Sequence, residues 1–567
     1  MPRIDLIALN CRYSHSCLAL FYVRRELEHN LAAVTASLRQ FTINDPYYST
    51  LLKIGGSDAH ALFFSVYIWN GPYVERLVRD LAKIRPERSM VLGGPQAAVL
   101  TSLPGCCTVV EGEIEGVGDR FYQDLAAGSL RPHYRAEAGR PFPSPYRPDD
   151  FTGQLRHRQV YYESSRGCPF HCAYCLSSVQ QGVRRKEPAL VEQELAGILP
   201  FAPRIIKFVD RTFNDQPERA LAIWRWLAAR PEPTRFHFEI APDRFSEEMF
   251  AMLAEVPPGR FQFEIGIQST NPATLAAIHR GMDVAVALAN VRRLVALSTV
   301  HLHVDLILGL PFETRESFRH SLNQVFSLGA DHIQMGLLKV LPTTPMREKV
   351  EEYGLVYCAE PPYEILATRW LPQTELAELY ALGECLEAFH NNRYFSSLWR
   401  YLRQSREEPY QFFEGLLAVC RKHGFFELAV TQELLARMLL ELARGRADRS
   451  LFLELLRYDW LCCGHRFLPP FLEERPLADL RAELRASLPP SMSGIYDMRA
   501  RSEFLKRGVF LNLSGRAMAA IGLEGAGPGS VLCFQPRLAA GDDRRPRVLT
   551  LPVPAREEEQ NVSADHA

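Results

Sequence analysis

This 567-residue sequence lacks long apolar runs, an excess of one charge and the regularly spaced, even-numbered cysteines of a disulfide framework. No stretch reaches the ~18 uninterrupted apolar residues that a membrane-spanning helix needs, which argues against a membrane protein. The 65 basic and 66 acidic residues nearly cancel, so the chain lacks the electrostatic footprint of a nucleic-acid-binding or membrane-surface protein. The 13 cysteines are odd in number and irregularly spaced, which argues against a disulfide framework.

The N-terminus also lacks the pattern of a secretory signal. Residues 1–9 indicate a short buried strand and not a charged segment followed by a long apolar one. Reduced thiols and no signal together predict a cytoplasmic protein without a membrane partner.

Length and pattern predict several domains, because 567 residues exceed what one hydrophobic core supports. Short apolar strands alternate with helical stretches up to residue 345, and long amphipathic helices such as 375–390, 409–422 and 431–445 follow. We predict a doubly wound α/β domain over 1–140, a proline-rich linker over 141–154, an α/β barrel-like core over 155–345, a helical domain over 346–490, a small mixed or β module over 491–554 and a disordered tail over 555–567.

The two α/β regions have separate sets of predicted strands. Those of the first region are 4–9, 61–66, 90–92 and 108–110, and those of the second are 159–163, 205–209, 236–240, 261–267, 301–307 and 332–338. Six strands with intervening helices favour a partial parallel (β/α)6 barrel, with its chemistry at the C-terminal strand ends.

The most informative motif is Cys168-x3-Cys172-x2-Cys175, which follows the first strand of the second region. Thiolates hold iron–sulfur clusters, and closely spaced cysteines on one loop can reach three corners of a 4Fe-4S cube. No fourth cysteine is near, which leaves one iron open. A structural zinc site would need a fourth ligand, and His171 is badly spaced to join all three thiolates.

This motif, with the aromatic Tyr174 before its last cysteine, resembles the signature of the radical S-adenosylmethionine (SAM) superfamily. The resemblance implies that the open iron binds SAM and that an electron from the cluster cleaves it to a 5′-deoxyadenosyl radical. It also implies a reducing partner such as flavodoxin or ferredoxin. The cofactor carries the chemistry, while the protein binds and orients it.

Later strand ends resemble the SAM-binding segments of that superfamily. The segment 305–314 resembles the Gly-Leu-Pro-Gly-Glu-Thr turn that packs near adenine, although Phe312 replaces the second glycine. Asp210 and Glu239 are polar residues at strand ends, where a barrel-top site would need them, so we expect them to contact SAM. The resemblance adds Tyr174, Gln268, Ser269 and Gly309 to these expected contacts.

The strand ends of the N-terminal region carry polar residues and glycines, where an open α/β sheet binds its ligands. They resemble the cobalamin-binding domain of one large class of radical SAM enzymes. The cobalamin contacts that the resemblance implies are Asn10, Ser14, Ser65, Trp69, Asn70, Gly93, Gly94, Pro95, Gly112 and Glu113. The Asp-x-His-x-x-Gly motif that supplies a histidine to cobalt is absent, so we interpret His15 as a solvated loop residue. A degenerate domain that only packs against the core is the alternative.

Three enzymatic functions compete. The first is methylation of an unactivated centre of an unknown substrate, a small molecule or peptide more readily than a nucleic acid. The second is a non-methylating radical SAM oxidation or rearrangement with cobalamin. The third is a tRNA methylthiotransferase, which needs a second cluster that Cys11, Cys17, Cys106 and Cys107 are not spaced to hold. A non-enzymatic cobalamin or iron–sulfur sensor would not need the SAM-shaped barrel.

Two segments of the helical region bear residues that could be functional. Cys462-Cys463-Gly464-His465 is interpreted as packing at a helix end, because adjacent cysteines do not easily chelate one ion. Residues 457–460 (Arg-Tyr-Asp-Trp) are interpreted as an ordinary helix surface in preference to a substrate-facing patch.

Overall fold

The structure, a computed structural model, describes residues 3–32, 34–178, 182–405, 407–473, 477–489, 500–523, 531–536 and 545–551. These residues form two compact units. One contains residues 1–321 and 334–377, and the other contains residues 322–333 and 378–567. None of the described helices is long and apolar enough to cross a membrane.

The first unit begins with a parallel sheet. Its strands are β1 (Arg3–Asn10), β2 (Thr35–Thr42), β3 (Ala61–Ser65), β4 (Ser89–Gly93), β5 (Cys107–Glu111) and β6 (His133–Arg135), in the spatial order β2-β1-β3-β4-β5-β6. Its helices are Leu18–Asn30, Tyr47–Gly55, Gly71–Ile84 and Asp119–Ala126. The strand order reverses between β1 and β3, and this switch point is where a doubly wound fold forms its ligand crevice.

Strands β2 and β6 were absent from the sequence prediction. β2 lies at an edge of the sheet, and only two of its eight residues are buried. β6 contains three residues, of which only Tyr134 is buried. Edge strands bury little apolar surface, so they lack the hydrophobic pattern by which strands are identified.

The proline-rich segment 141–154 is packed, although its composition predicted a linker. It contains the short helix Pro148–Thr152. Asp150 forms a buried bidentate pair with Arg24, with both N–O distances at 2.7 Å. Tyr146 donates a hydrogen bond to the carbonyl of Tyr161 at 2.7 Å. Side chains of this segment therefore contact both α/β regions.

The second sheet of this unit supplies the barrel-like core. The strands that follow in the chain are β7 (Val160–Tyr162), β8 (Ser165–Gly167), β9 (Val183–Arg185), β10 (Ile205–Phe208), β11 (Arg235–Ile240), β12 (Phe261–Gln268), β13 (His301–Leu308) and β14 (His332–Leu337). Six of them form a sheet in the order β14-β13-β12-β11-β10-β7, while β8 and β9 form an antiparallel hairpin. The accompanying helices are Pro188–Ile198, Pro217–Ala228, Glu247–Ala254, Pro272–Ala277, Val284–Leu297 and Arg315–Leu328. The predicted fold class, two parallel α/β domains with a partial barrel, is confirmed.

Side chains alternate along these strands, which separates an apolar face from a polar one. In β12, Phe261, Phe263 and Ile265 are fully buried, whereas Glu264 and Gln268 on the other face are partly exposed. Because successive residues of a strand point to opposite faces, the polar groups line one side of the sheet. This face carries the candidate site.

After β14 the chain forms two short helices, then β15 (Val356–Tyr357) and β16 (Ile365–Ala367), and then further helices and a small sheet. The helices are Pro345–Glu348, Val350–Tyr353, Gln373–Leu386, Ser396–Gln404, Pro409–Lys422, Gln432–Ala443, Arg449–Cys462, Leu477–Ser487, Arg501–Arg507 and Gly515–Ala520. A π-helix spans Glu387–Asn391. The antiparallel sheet contains β17 (Val509–Asn512), β18 (Val531–Gln535) and β19 (Arg547–Leu551). The tail predicted at 555–567 lies outside the described residues.

The surface interpretation of residues 457–460 was wrong. Arg457 and Asp459 are 8% and 2% exposed, and Trp460 is also buried. Asp459 accepts hydrogen bonds from the backbone N–H groups of Ser397 and Leu398, and Arg457 donates to the carbonyl of Leu472. These charged side chains are structural because the backbone groups that meet them come from distant parts of the unit. His465 stacks on Trp460 with ring centroids 4.2 Å apart.

Candidate functional site

The loop that carries the three cysteines follows β8, and its backbone is held from several directions. Ala173 N–H donates to the carbonyl of Ile278 at 2.9 Å, and Met346 N–H donates to the carbonyl of Ala173 at 2.9 Å. Gly167 enters the loop with φ of 95°, and a Cβ there would lie 2.2 Å from the carbonyl oxygen of Gly182. Because no side chain fits at this position, glycine is needed where the loop begins.

The cysteine sulfurs lie among hydrogen-bonding groups. Cys168 Sγ is 3.6 Å from Thr212 Oγ1, and Arg280 Nη1 donates to Cys172 Sγ at 3.7 Å. The Tyr174 hydroxyl also contacts Cys172, and burial raises the pKa of Tyr174. A cationic donor stabilises a thiolate, which is the form that binds iron. The three thiols and these donors fit a 4Fe-4S cluster.

Among the described residues, no three His, Cys, Asp or Glu side chains converge on a point where one ion could bind. A 4Fe-4S cluster does not require such convergence, because each of its thiolates binds a different iron. The motif therefore suits a cluster better than a single structural metal ion.

Asp210 supports the cluster loop. It is fully buried, and its carboxylate accepts hydrogen bonds from Ser164 N–H at 2.9 Å, from Ser165 Oγ–H at 2.8 Å and from the Ser164 hydroxyl. Burial raises the pKa of Asp210, and these hydrogen bonds oppose the rise. Arg219 donates to the carbonyl of Ser164 at 2.9 Å. These contacts assign Asp210 to positioning the strand before the cysteines, and its contact with SAM stays a prediction.

Gln268 presents a buried acceptor that no group of the described residues uses. It ends β12 with φ of 70°, and its buried Oε1 has no hydrogen-bond partner in the structure. A Cβ on the neighbouring Gly266 would lie 2.3 Å from Gln268 Nε2. A non-glycine residue in this strained conformation, with an unsatisfied buried acceptor, is typical of a ligand site. The ribose hydroxyls of SAM are donors of the required kind.

Ser269, in contrast, uses its hydroxyl within the protein. It is fully buried, its Oγ–H donates to Glu313 Oε2 at 2.5 Å, and the same oxygen accepts from Asn271 N–H at 3.0 Å. Burial raises the pKa of Glu313, and the hydroxyl donors oppose the rise. Ser269 therefore connects two strand ends, and a direct contact with SAM stays a prediction.

The turn after β13 has the left-handed backbone that its single glycine suggests. Gly309 has φ of 82°, and a Cβ there would lie 2.6 Å from Ile365 Cγ2. Phe312 replaces a glycine of the family pattern, yet it also adopts a positive φ, of 62°. Its ring packs on Trp370 with centroids 4.2 Å apart, and this contact compensates for the strained backbone.

The polar face of the sheet also holds three neighbouring carboxyl groups. Burial raises the pKa of Glu239 to about 7, although Arg211 opposes the rise. Asp305 has a buried Oδ1 without a hydrogen-bond partner, and burial raises its pKa well above the usual range. Glu264 lies 3.1 Å from His237 Nε2. Sequence reasoning selected Glu239 and missed Asp305 and Glu264, although strand alternation places all of them on the polar face.

The N-terminal sheet forms its crevice where Asn10 ends β1 and Ser65 ends β3. Asn10 Nδ2 donates to the carbonyl of His15 at 3.2 Å. Trp69 is 42% exposed and stacks on Tyr67 with centroids 4.5 Å apart. The crevice thus combines buried polar strand ends with an exposed flat aromatic surface, which suits a large planar ligand.

Several predicted cobalamin contacts shape the backbone of this crevice. Asn70 Nδ2 donates to the carbonyls of Leu9 and Ser65 at 3.1 and 3.0 Å, so its amide joins β1 to β3. A Cβ on Gly94, whose φ is 115°, would lie 2.5 Å from the carbonyl oxygen of Val66. Gly93 precedes it at the end of β4, and Pro95 follows it. Gly112, with φ of 93°, continues the chain after β5.

The first loop of the domain contains Ser14 and His15. The Ser14 carbonyl accepts from Gln159 N–H at 2.7 Å, and the His15 carbonyl accepts from Arg158 Nη1 at 2.7 Å. Burial lowers the pKa of His15. Its ring packs edge-on against Tyr161, with centroids 6.3 Å apart. The loop is therefore attached to the core through its backbone carbonyls.

Glu113, a predicted cobalamin contact, lies among basic side chains of the second α/β region. It pairs with Arg166 at 3.0 Å and with Arg184, both beside the cysteine loop. Sequence reasoning did not single out Arg166, because two of its carboxylate partners, Glu113 and Glu115, lie about 50 residues earlier in the chain.

Comparison with known proteins identifies two segments. The profile of the radical SAM superfamily matches residues 162–325, and that of a protein of unknown function (DUF4080) matches residues 351–492. The first segment contains the cysteine loop and most of the second sheet.

Characterised relatives match over a longer region. A 2-(S-pantetheinyl)-carbapenam-3-carboxylate methyltransferase of Streptantibioticus cattleyicolor is 26% identical over 64% of this chain and 62% of its own length. The cobalamin-dependent radical SAM methyltransferase TokK of Streptomyces tokunonensis is 26% identical over 63% of this chain and 60% of its own length. The chain therefore matches less than two thirds of the length of these relatives.

A solved structure shows the same fold. The cobalamin-dependent SAM radical enzyme OxsB, with aqua-cobalamin and SAM bound, superposes with a TM-score of 0.55 at 15% identity, covering 89% of this chain and 83% of its own.

Proposed function

We propose that this chain, which carries a radical SAM domain over residues 162–325, is a cobalamin-dependent enzyme that methylates an unactivated centre of a small molecule. The observation that carries the proposal is that one compact unit contains both the three-cysteine loop and a doubly wound domain with a crevice at its switch point. The similarity to two methyltransferases supports the reaction type.

The residues of the core have distinct proposed roles. Cys168, Cys172 and Cys175 would hold the cluster, and Arg280 would neutralise part of the thiolate charge. Gln268 would accept a hydrogen bond from SAM through its free Oε1. When bound, the cluster supplies single electrons and cobalamin supplies methyl-group carriage. A flavodoxin- or ferredoxin-like protein would deliver the electrons.

The N-terminal domain would bind cobalamin without a protein imidazole on cobalt. Trp69 offers an exposed flat surface beside the crevice, and the first loop offers the side chains of Ser14 and His15. The domain lacks the Asp-x-His-x-x-Gly motif, so no residue pattern favours histidine ligation. One face of the cofactor would thus stay open to the substrate.

The experiment follows the fate of SAM in anaerobically reconstituted protein supplied with cobalamin and a strong reductant. We expect about four irons per chain, slow formation of 5′-deoxyadenosine, and S-adenosylhomocysteine when the methyl group of labelled SAM is transferred. Deoxyadenosine without any S-adenosylhomocysteine would instead support the non-methylating reaction.

The matched control distinguishes the cluster ligands from other thiols. Replacing Cys168, Cys172 and Cys175 with Ala should abolish iron binding and SAM cleavage. Replacing Cys462 and Cys463, which lie at the end of a helix in the other unit, should leave both unchanged. A triple variant that keeps full iron content would refute the assignment.

A further inference from the structure

Arg166 sits at the centre of an ion cluster next to the iron–sulfur motif. It lies two residues before Cys168, and its guanidinium contacts three carboxylates: Glu163 at 2.8 Å, Glu113 at 3.0 Å and Glu115 at 3.0 Å. Glu163 precedes the cysteine loop, whereas Glu113 and Glu115 follow β5 in the N-terminal domain. One side chain therefore joins the two α/β domains beside the cluster.

This cation is enclosed by aromatic rings. The Arg166 guanidinium carbon lies 4.7 Å from the ring centroid of Tyr22 and 4.5 Å from that of Phe142. The side chain is only 12% exposed, and that of Glu115 is 4% exposed. A planar guanidinium stacks on rings and presents five donors in a fixed fork, whereas a lysine ammonium is a point charge with three donors.

The charges of Arg166 and of its carboxylate partners depend on one another. Burial alone would lower the pKa of Arg166, but the carboxylates of Glu163 and Glu115 raise it. Burial raises the pKa of Glu163, and Arg166 opposes that rise. Removing one member therefore leaves an unbalanced charge in a buried site.

The backbones on both sides are shaped for close approach. A Cβ on Gly116 would lie 1.9 Å from the carbonyl oxygen of Glu137, and Gly112 has φ of 93°. Arg184, in β9 of the hairpin, also donates to Glu113 and to the carbonyl of Arg140. The loop after β5 is thereby held in place from several sides.

We propose that Arg166 is a positioning residue that fixes the cluster loop against the N-terminal domain, and that the Gly112-Glu113-x-Glu115 segment serves this attachment. The segment would then influence the reduction potential of the iron–sulfur cluster, because it holds the positive charge of Arg166 two residues from the cluster ligand Cys168. This inference goes beyond the proposed function. It rests on that function only in requiring an iron–sulfur cluster at the three cysteines.

Two variants test whether these charges tune the iron–sulfur cluster, because one removes a positive charge and the other a negative charge from the group of ion pairs around Arg166. A nearby positive charge stabilises the reduced, more negative state of an iron–sulfur cluster. Arg166→Gln should therefore lower the reduction potential, and Glu115→Gln should raise it, as measured by redox titration with electron paramagnetic resonance at alkaline pH. A purely structural role would not give opposite shifts. Shifts in the same direction, or no shift, would overturn the charge role.

Hydrogen exchange tests the attachment without relying on the cluster. In Arg166→Gln, amide exchange in segments 111–117 and 163–168 should become at least about tenfold faster than in the native chain, because the loops lose their common partner. Arg166→Lys keeps the charge but loses the planar fork, so it should accelerate exchange with a smaller change in potential. Arg225→Gln, which breaks an exposed pair with Glu248, is the matched control. Unchanged exchange in 111–117 of Arg166→Gln would refute the attachment, even if methylation itself were disproved.

Discussion

The hydroxyl of Ser269 donates a hydrogen bond to the carboxylate of Glu313, with 2.5 Å between the two oxygens. Ser269 immediately follows β12, and Glu313 lies in the turn after β13. The bond thus joins the two segments that resemble SAM-binding motifs. Ser269 differs in this respect from its neighbour Gln268. Of these two side chains, only that of Gln268 has a buried acceptor without a hydrogen-bond partner.

We expect Ser269→Ala to act through stability. The substitution removes a donor from Glu313, a fully buried residue, and an unsatisfied buried partner costs about 1–3 kcal/mol. Thermal or denaturant unfolding should show a loss of this size, with weaker SAM binding as a secondary effect. An unfolding free energy equal to that of the native chain would show that the bond is not needed.

Gln268→Met should have the opposite profile. The substitution keeps the length of the side chain but removes the amide, so the affinity for SAM should fall about tenfold, which corresponds to one hydrogen bond of about 1.4 kcal/mol. The melting temperature and iron content should stay close to native, because Oε1 has no partner to lose within the protein. Calorimetric titration with SAM measures the effect, and native affinity in the variant would contradict the assignment.

The sequence predicts most strands of the two α/β regions, and the cysteine loop, because both depend on local patterns. Strand alternation places Glu239 and Gln268 on one face, and the spacing of three cysteines identifies the loop. Partners that are distant in the chain are not encoded in this way. The position of Asp210 after a strand predicts a SAM contact, but it does not reveal the hydrogen-bond donors of its carboxylate, which lie 45 and 46 residues earlier.

The pH dependence of stability should report the buried carboxyl of Glu239. Its pKa is raised from 4.5 to about 7, so between these values the folded state binds more protons than the unfolded state. Stability should therefore fall as the pH rises through this range, by at most about 3 kcal/mol from this group. In Glu239→Gln this contribution disappears. The unfolding free energy of the variant minus that of the native chain should therefore increase from pH 4.5 to 7. A constant difference would show that Glu239 ionises normally.

The last prediction concerns the cobalt coordination. His15 lies in the first crevice loop, and burial lowers the pKa of its ring, which favours the neutral form that can bind a metal. However, metal-binding histidines usually donate their second ring nitrogen to a carboxylate or carbonyl, whereas His15 forms its hydrogen bonds through its backbone groups and packs its ring edge-on against Tyr161. We therefore expect the electron paramagnetic resonance spectrum of the cob(II)alamin-loaded chain to lack nitrogen superhyperfine splitting from a protein imidazole. His15→Ala should leave that spectrum unchanged. Splitting that disappears in His15→Ala would identify His15 as a ligand, whereas a chain that binds no cobalamin would favour a domain that only packs against the core.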